Sequence, residues 1–175
     1  MKWRVFLFLS FSFFSACGQP VTPNQQIVRF CEQHLGQKVG DRECFALASQ
    51  ALREAGLERD RAQYPNKGDF VWGKLILRLE GNDSVPAEGK MAGITPGDII
   101  QFRDAVFKKK GRFKHFKHHT AVVEEAMNGG LDVKVLQQNY AGKKFVTELE
   151  LHLPDLKTGW IRVYHPASPG KSTIP

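Results

Sequence analysis

The sequence predicts an α+β domain in which N-terminal helices pack on an antiparallel β-sheet of about five to six strands. Three observations carry that expectation. Apolar residues recur at helical spacing up to Gly56, they alternate toward period two beyond it, and turn residues separate the later apolar runs with no helical segment between them. With 175 residues, 42% of them hydrophobic and 25% charged, the chain has the makings of one globular domain and excludes a disordered protein.

The first residues stand outside that domain. Met1-Lys2-Trp3-Arg4 is charged, Val5 to Phe14 is an almost unbroken run of Phe, Leu and Ser, and Ser15-Ala16 precede Cys17. This order describes a signal peptide over residues 1–17, and its apolar run is shorter than the ~20 residues a spanning helix needs. Phe14-Ser15-Ala16-Cys17 resembles a bacterial lipobox with Phe where Leu is usual, which would make Cys17 a lipidation site and membrane tether. Cleavage as a soluble exported protein is the other reading. Either way the expected location is the cell envelope, as a membrane-anchored lipoprotein or a periplasmic or secreted protein. Residues 18–23, with Pro20 and Pro23, read as a tether, 24–166 as the folded domain and 167–175 as a disordered tail.

Asn24 can cap a helix over Gln25 to Leu35, with Ile27, Phe30, Cys31 and Leu35 on one face and Gly36 as the stop. A second helix is expected from about Glu43 to Ala55, ended by Gly56, with Cys44, Leu47, Ala48, Ala51 and Leu52 on its buried face. Strands follow at Asp69 to Leu79, Ile99 to Phe102, Thr120 to Glu125, Leu131 to Gln138, Phe145 to Leu151 and Gly159 to Tyr164. Thr95-Pro96-Gly97-Asp98 is a turn feeding the second of these. The sequence shows no internal repeat, and one folded domain is expected within it.

Asn128-Gly129-Gly130 is a turn signal, so Thr120 to Glu125 and Leu131 to Gln138 should pair as a hairpin. A turn centred on Gly129 sets His119 across from Asn139, with Gln137 one diagonal step away on the same face. The apolar face of Ala121, Val123, Val133 and Val135 should bury against the helices, leaving His119 and Asn139 at its rim and directed toward Cys44. A thiol at a helix N-terminus, an imidazole and a carboxamide are the parts of a cysteine hydrolase. The helix terminus and imidazolium lower the thiol pKa, His119 moves the proton, and Asn139 orients the ring.

Cys31 reads as a buried core thiol, although a Cys31–Cys44 disulfide is open in an oxidising compartment and would remove the nucleophile. The formal charge is +7, and much of it sits in Lys108-Lys109-Lys110-Gly111-Arg112-Phe113-Lys114-His115-Phe116-Lys117-His118. This run is either a solvated loop or a contact for an anionic surface such as phospholipid headgroups or acidic wall polymer; export argues against nucleic acid. Lys110, Arg112 and Lys114 are candidates for substrate binding, as is the aromatic Trp72. His115, His118 and His119 lack a Cys or carboxylate at ligand spacing, and no phosphate loop or dinucleotide fingerprint is present, so neither metal nor organic cofactor is expected. The chain is expected to be a monomer.

Four blocks together resemble a known family: Gly40-Asp41-Arg42-Glu43-Cys44-Phe45, Thr95-Pro96-Gly97-Asp98-Ile99-Ile100, His119-Thr120-Ala121-Val122-Val123 and Leu136-Gln137-Gln138-Asn139. They are similar to the successive blocks of CHAP domains and their NlpC-type relatives, papain-like cysteine amidohydrolases and peptidases. The resemblance runs from about Asn24 to His165. It implies Cys44 as nucleophile, His119 as base and Asn139 as third member, with Gln137, Glu43 and Asp41 supporting, and amide bonds of peptidoglycan or another cell-envelope material as substrate. Where CHAP domains often carry a Glu two residues before the Asn, this chain has Gln137, and an amide cannot supply the negative charge that stabilises an imidazolium. Two alternatives therefore stand beside the amidase: a catalytically silent wall- or protein-binding domain on the same fold, and a cysteine peptidase or acyltransferase with a protein substrate.

Overall fold

Thr22, two residues ahead of the expected cap, opens the first helix. Its Oγ1 accepts from the Gln25 amide at 3.3 Å, and the Gln25 side chain accepts from the Thr22 amide at 2.9 Å, so the two satisfy each other's end groups. The computed structural model describes residues 20–57, 69–83 and 85–166, and in it α1 spans Pro23–Gln33 and α2 spans Cys44–Glu54. Asn24 lies inside α1, and its side-chain amide donates to the Pro96 carbonyl at 3.1 Å. The signal-peptide segment, Cys17 and the C-terminal tail lie outside the described residues.

The strands are β1 (Lys74–Glu80), β2 (Glu88–Gly89), β3 (Ile99–Lys109), β4 (Arg112–Met127), β5 (Asp132–Gln137), β6 (Thr147–His152) and β7 (Leu156–His165). They form one sheet in the order β2-β1-β7-β3-β4-β5-β6, antiparallel at every pairing. The expectation of helices packed on a sheet of five to six strands is corrected by this architecture. The protein is mostly one seven-stranded antiparallel sheet, with only two short α-helices of 11 residues each among the described residues.

Two features account for the difference. A two-residue strand, β2, escapes any periodicity count. The basic run, expected as a loop, is instead the end of a long hairpin in which Lys108 pairs with Phe113 and Lys109 with Arg112. Its turn is Lys110-Gly111, both with positive φ (47° and 77°), the backbone that matches the twist of two-residue hairpins.

β4 has 16 residues and would measure roughly 50 Å if straight, yet Arg112 and Met127 at its two ends line one cavity. The strand therefore bends back, and the sheet closes over itself. Lys114 Nζ of β4 reaches the Glu150 carbonyl of β6 at 2.8 Å across that closure. The enclosed face carries Leu79, Ile100, Phe102, Phe116, Ala121, Val123, Val133, Val135 and Ile161, and no residue of α1 or α2 joins this cluster.

The helices pack on the other face. There Ile27 and Cys31 of α1 and Leu47, Ala48, Ala51 and Leu52 of α2 meet Ile99, Val122, Leu136 and Tyr164. The face of Ala121, Val123, Val133 and Val135, expected beneath the helices, is instead the enclosed one. Both faces of the β4–β5 hairpin carry buried apolar residues, Val122 and Leu136 on one and Ala121, Val123, Val133 and Val135 on the other, so the closure of the sheet and not hydropathy decides between them.

Candidate functional site

β5 pairs with β4 through Val123↔Val135, Val122↔Leu136 and Ala121↔Gln137, then stops. Beyond Ala121 the β5-side edge of β4 is open, and the first residue of α2 fills the gap. The Thr120 backbone N–H donates to the half-buried Cys44 thiol, joined by the N–H of Phe45 at the helix start. Cys44 thus lies at a strand end, beside the residue that follows His119, where the two faces of the sheet meet.

His119 occupies the enclosed face and is 4% exposed. Its ring lies among Phe102, Phe116 and Tyr140, with centroids 6.0, 5.5 and 5.8 Å away. Its Nε2 is 2.8 Å from Oε1 of Gln137, which is itself 1% exposed. A carbonyl oxygen only accepts, so Nε2 carries the proton and Nδ1 keeps its lone pair.

Asn139, expected across from His119, does not hold that place. Its φ of 60° turns the chain out of the strand, and its side-chain amide donates to Glu43 Oε2 at 2.9 Å, on the surface. Gln137, expected in support, is the carboxamide that meets the imidazole. Asp41 Oδ1 accepts from the Glu43 backbone N–H at 3.0 Å, so Asp41, Glu43 and Asn139 together shape the loop that leads into Cys44.

Burial pushes the Cys44 thiol above its ordinary pKa. The Thr120 and Phe45 amides oppose that shift, and the Glu43 charge adds to it. Burial also pushes His119 down, to about 4, against the Gln137 hydrogen bond that raises it and with the His118 charge that lowers it further. Desolvation is the largest influence on both groups, so these shifts favour a neutral thiol and a neutral imidazole over the expected thiolate–imidazolium pair. Cys31 and Cys44 are both free thiols, and burial holds Cys31 far above the ordinary thiol range.

Trp72 does not line an open cleft. It is 1% exposed and donates from Nε1 to Gln101 Oε1 at 3.1 Å, and the same oxygen accepts from Thr120 Oγ1 at 2.9 Å. Lys110, Arg112 and Lys114 lie at the far end of the β3–β4 hairpin, roughly 20 Å or more along β4 from Thr120. They belong to another surface.

Two supports of the site were missed at the sequence level. Gln138 is wholly buried; its Oε1 accepts from the Val39 amide at 2.7 Å and its Nε2 donates to the Val39 and Glu43 carbonyls at 2.9 and 3.2 Å. It ties the loop before Cys44 to the end of β5, and no local pattern announces a bond that spans so much chain. Gln101, standing between apolar Ile100 and Phe102 in a strand, carried a readable signal: a polar side chain there needs a buried partner. Beside it, Arg103 Nε donates to Asp69 Oδ1 at 2.9 Å, with His118 Nε2 3.7 Å from the same oxygen and its ring stacked on Phe70.

The AIM3/BBC1 cysteine proteinase-fold domain model matches residues 22–172, and the chain belongs to that family. A curated relative, altered inheritance of mitochondria protein 3 of Debaryomyces hansenii, is 29% identical over 155 residues that cover 83% of this chain. The chain spans only 16% of that relative's length. Among solved structures, the crystal structure of Ly7917 covers 82% of this chain and 62% of its own at 17% identity, with a TM-score of 0.45. Ly7917 with the hydrolysing product of MDP gives 82%, 63%, 18% and 0.45 for the same quantities.

Proposed function

We propose that this AIM3/BBC1-family domain is a cysteine enzyme that acts on amide bonds of a protein substrate, with Cys44 as nucleophile, His119 as base and Gln137 as the residue that orients the imidazole. The observation that carries the reading is the 2.8 Å contact between His119 Nε2 and Gln137 Oε1, which leaves Nδ1 as the basic atom on a strand whose next residue holds the thiol. Catalysis proceeds from the neutral pair by general-base attack. As Sγ bonds the carbonyl carbon, His119 takes its proton. The C–N bond then breaks as His119 returns the proton to the leaving nitrogen. Water, or an amine in a transfer reaction, removes the acyl group from sulfur. The Cys44 and Phe45 amides at the start of α2 are donors for the oxyanion.

Support for peptidoglycan as substrate is limited to the CHAP-type order of motifs and the N-terminal segment. Export with Cys17 acylated belongs to the same proposal, and mass spectrometry of the mature N-terminus tests it.

A second reading, a silent domain that binds a protein partner, is favoured by the raised thiol and the lowered imidazole. Iodoacetamide labelling of Cys44 against pH, in the wild type and in His119→Ala, separates the two. Labelling that slows about tenfold at neutral pH in the variant supports the enzyme. Labelling that is slow and equal in both chains makes this a binding domain.

A further inference from the structure

The end of the β3–β4 hairpin plays no part in the chemistry at Cys44. From Lys108 to Lys117 stand six cations, Lys108, Lys109, Lys110, Arg112, Lys114 and Lys117, and no acidic residue, in a chain whose net charge is +7. Lys108 to Phe113 are all exposed. Phe113 is a 53% exposed aromatic among these charges; its ring stacks on His115 and has Lys108 Nζ 5.4 Å from its centroid. Folding would ordinarily bury such a side chain, and the two-residue turn at Lys110-Gly111 instead holds it out.

Behind the tip lies a cavity of about 860 Å³ between the hairpin and the β5–β6 end of the sheet. Phe107 and Met127 contribute to its apolar surface, and Lys109, Lys110, Arg112 and Lys114 to its cationic wall. On the opposite wall Asp132 already accepts from His152 at 2.7 Å. Cations around an apolar hollow, with an aromatic at the rim, suit a ligand that has an anionic head and an apolar body.

We infer that this hairpin tip docks on the surface of an anionic phospholipid bilayer, with headgroup phosphates on Lys109, Lys110 and Arg112 and the Phe113 ring at the headgroup–acyl boundary. Basic residues gathered near such a surface, with an apolar aromatic beside them, are the two components of interfacial binding. Nucleic acid fits less well. An extended polyphosphate needs cations along a groove, whereas these converge on one turn.

The test is co-sedimentation of the full chain with vesicles of phosphatidylcholine alone and with added phosphatidylserine, at about 0.1 M and about 0.5 M salt. Every chain compared carries the same N-terminal residues, so a difference between variants reports the hairpin. Binding that needs phosphatidylserine, weakens with salt and falls by about a hundredfold in the triple variant Lys109→Glu, Lys110→Glu, Arg112→Glu is the expected result. Phe113→Trp adds a second readout: the emission it adds over that of the three native tryptophans, taken as the difference from the wild type, should shift to the blue on anionic vesicles and not on neutral ones. Circular dichroism of each variant verifies that it is folded. The inference is overturned if the triple variant binds anionic vesicles as the wild type does. It falls equally if the tryptophan stays in water, or if duplex DNA is bound while anionic vesicles are bound no better than neutral ones. None of these outcomes depends on whether Cys44 is reactive.

Discussion

The two faces of the sheet solve burial differently, and the site lies where they meet. The enclosed face is apolar apart from His119 and Gln137, whose one mutual hydrogen bond is set among aromatic rings. The helix face carries a polar row, with Gln101, Thr120 and Gln138 tied to Trp72, Val39 and Glu43. One face therefore tunes a titration by withholding water, and the other positions a loop by satisfying its backbone. A single-faced site would have to do both with the same residues.

The largest expected effect is on the enclosed face. Phe102 is wholly buried and stacked on Phe116 at 4.5 Å, and Phe102→Ala should cost about 3–5 kcal/mol by urea denaturation. It should also admit water to His119 and raise its pKa. Leu47→Ala on the helix face, with a loss of about 2–5 kcal/mol, should leave that pKa where it is. If both variants move the titration equally, the faces are not independent.

Next comes pH. His119 is lowered from 6.5 to about 4, so between those values the unfolded chain binds the additional proton. Stability from this group is complete above pH 6.5 and is lost as pH falls toward 4, on the order of 3 kcal/mol in all. Denaturation midpoints measured across that window in the wild type and in His119→Leu should diverge, with the variant showing the smaller acid loss.

Gln138→Ala should cost about 2–3 kcal/mol in a thermal melt, because it strands the Val39 amide and carbonyl. The smallest effect sharpens the chemistry. Gln137→Glu sets a carboxylate against the imidazole, which should raise the His119 pKa and speed Cys44 alkylation at neutral pH by about tenfold. Asn139→Ala should leave that rate unchanged, since its side chain is bound to Glu43 on the surface.

Much of this was legible in the chain, and the misses have identifiable causes. The hairpin turn at Asn128-Gly129-Gly130 predicts the register Ala121↔Gln137, and the structure has it. A bulge between Val123 and Glu125 shifts only the pairs nearer the turn. Asn139 lies out of place because β5 ends at Gln137, one residue before the expected end, and a positive φ at Asn139, which Asn tolerates better than most residues, turns the chain away. The orientation of the sheet was misread because Val122 and Leu136 are as apolar as Val123 and Val135, so alternation identifies two faces without saying which one the helices take. The seventh strand escapes because β2 has only two residues, and β3 and β4 run longer than expected because a stretch of lysines conceals their outer halves, whose inward residues, Phe107 and Phe116, are sparse and spaced.

Because β5 stops at Gln137, the Thr120 amide ends its ladder on a sulfur atom instead of a carbonyl. That makes one backbone proton a reporter for the thiol. Any adduct at Cys44 that pulls sulfur away should speed exchange of the Thr120 amide while its neighbours in the β3–β4 ladder stay protected. Occupancy of the site can then be read by hydrogen exchange at a single position, with no substrate in hand.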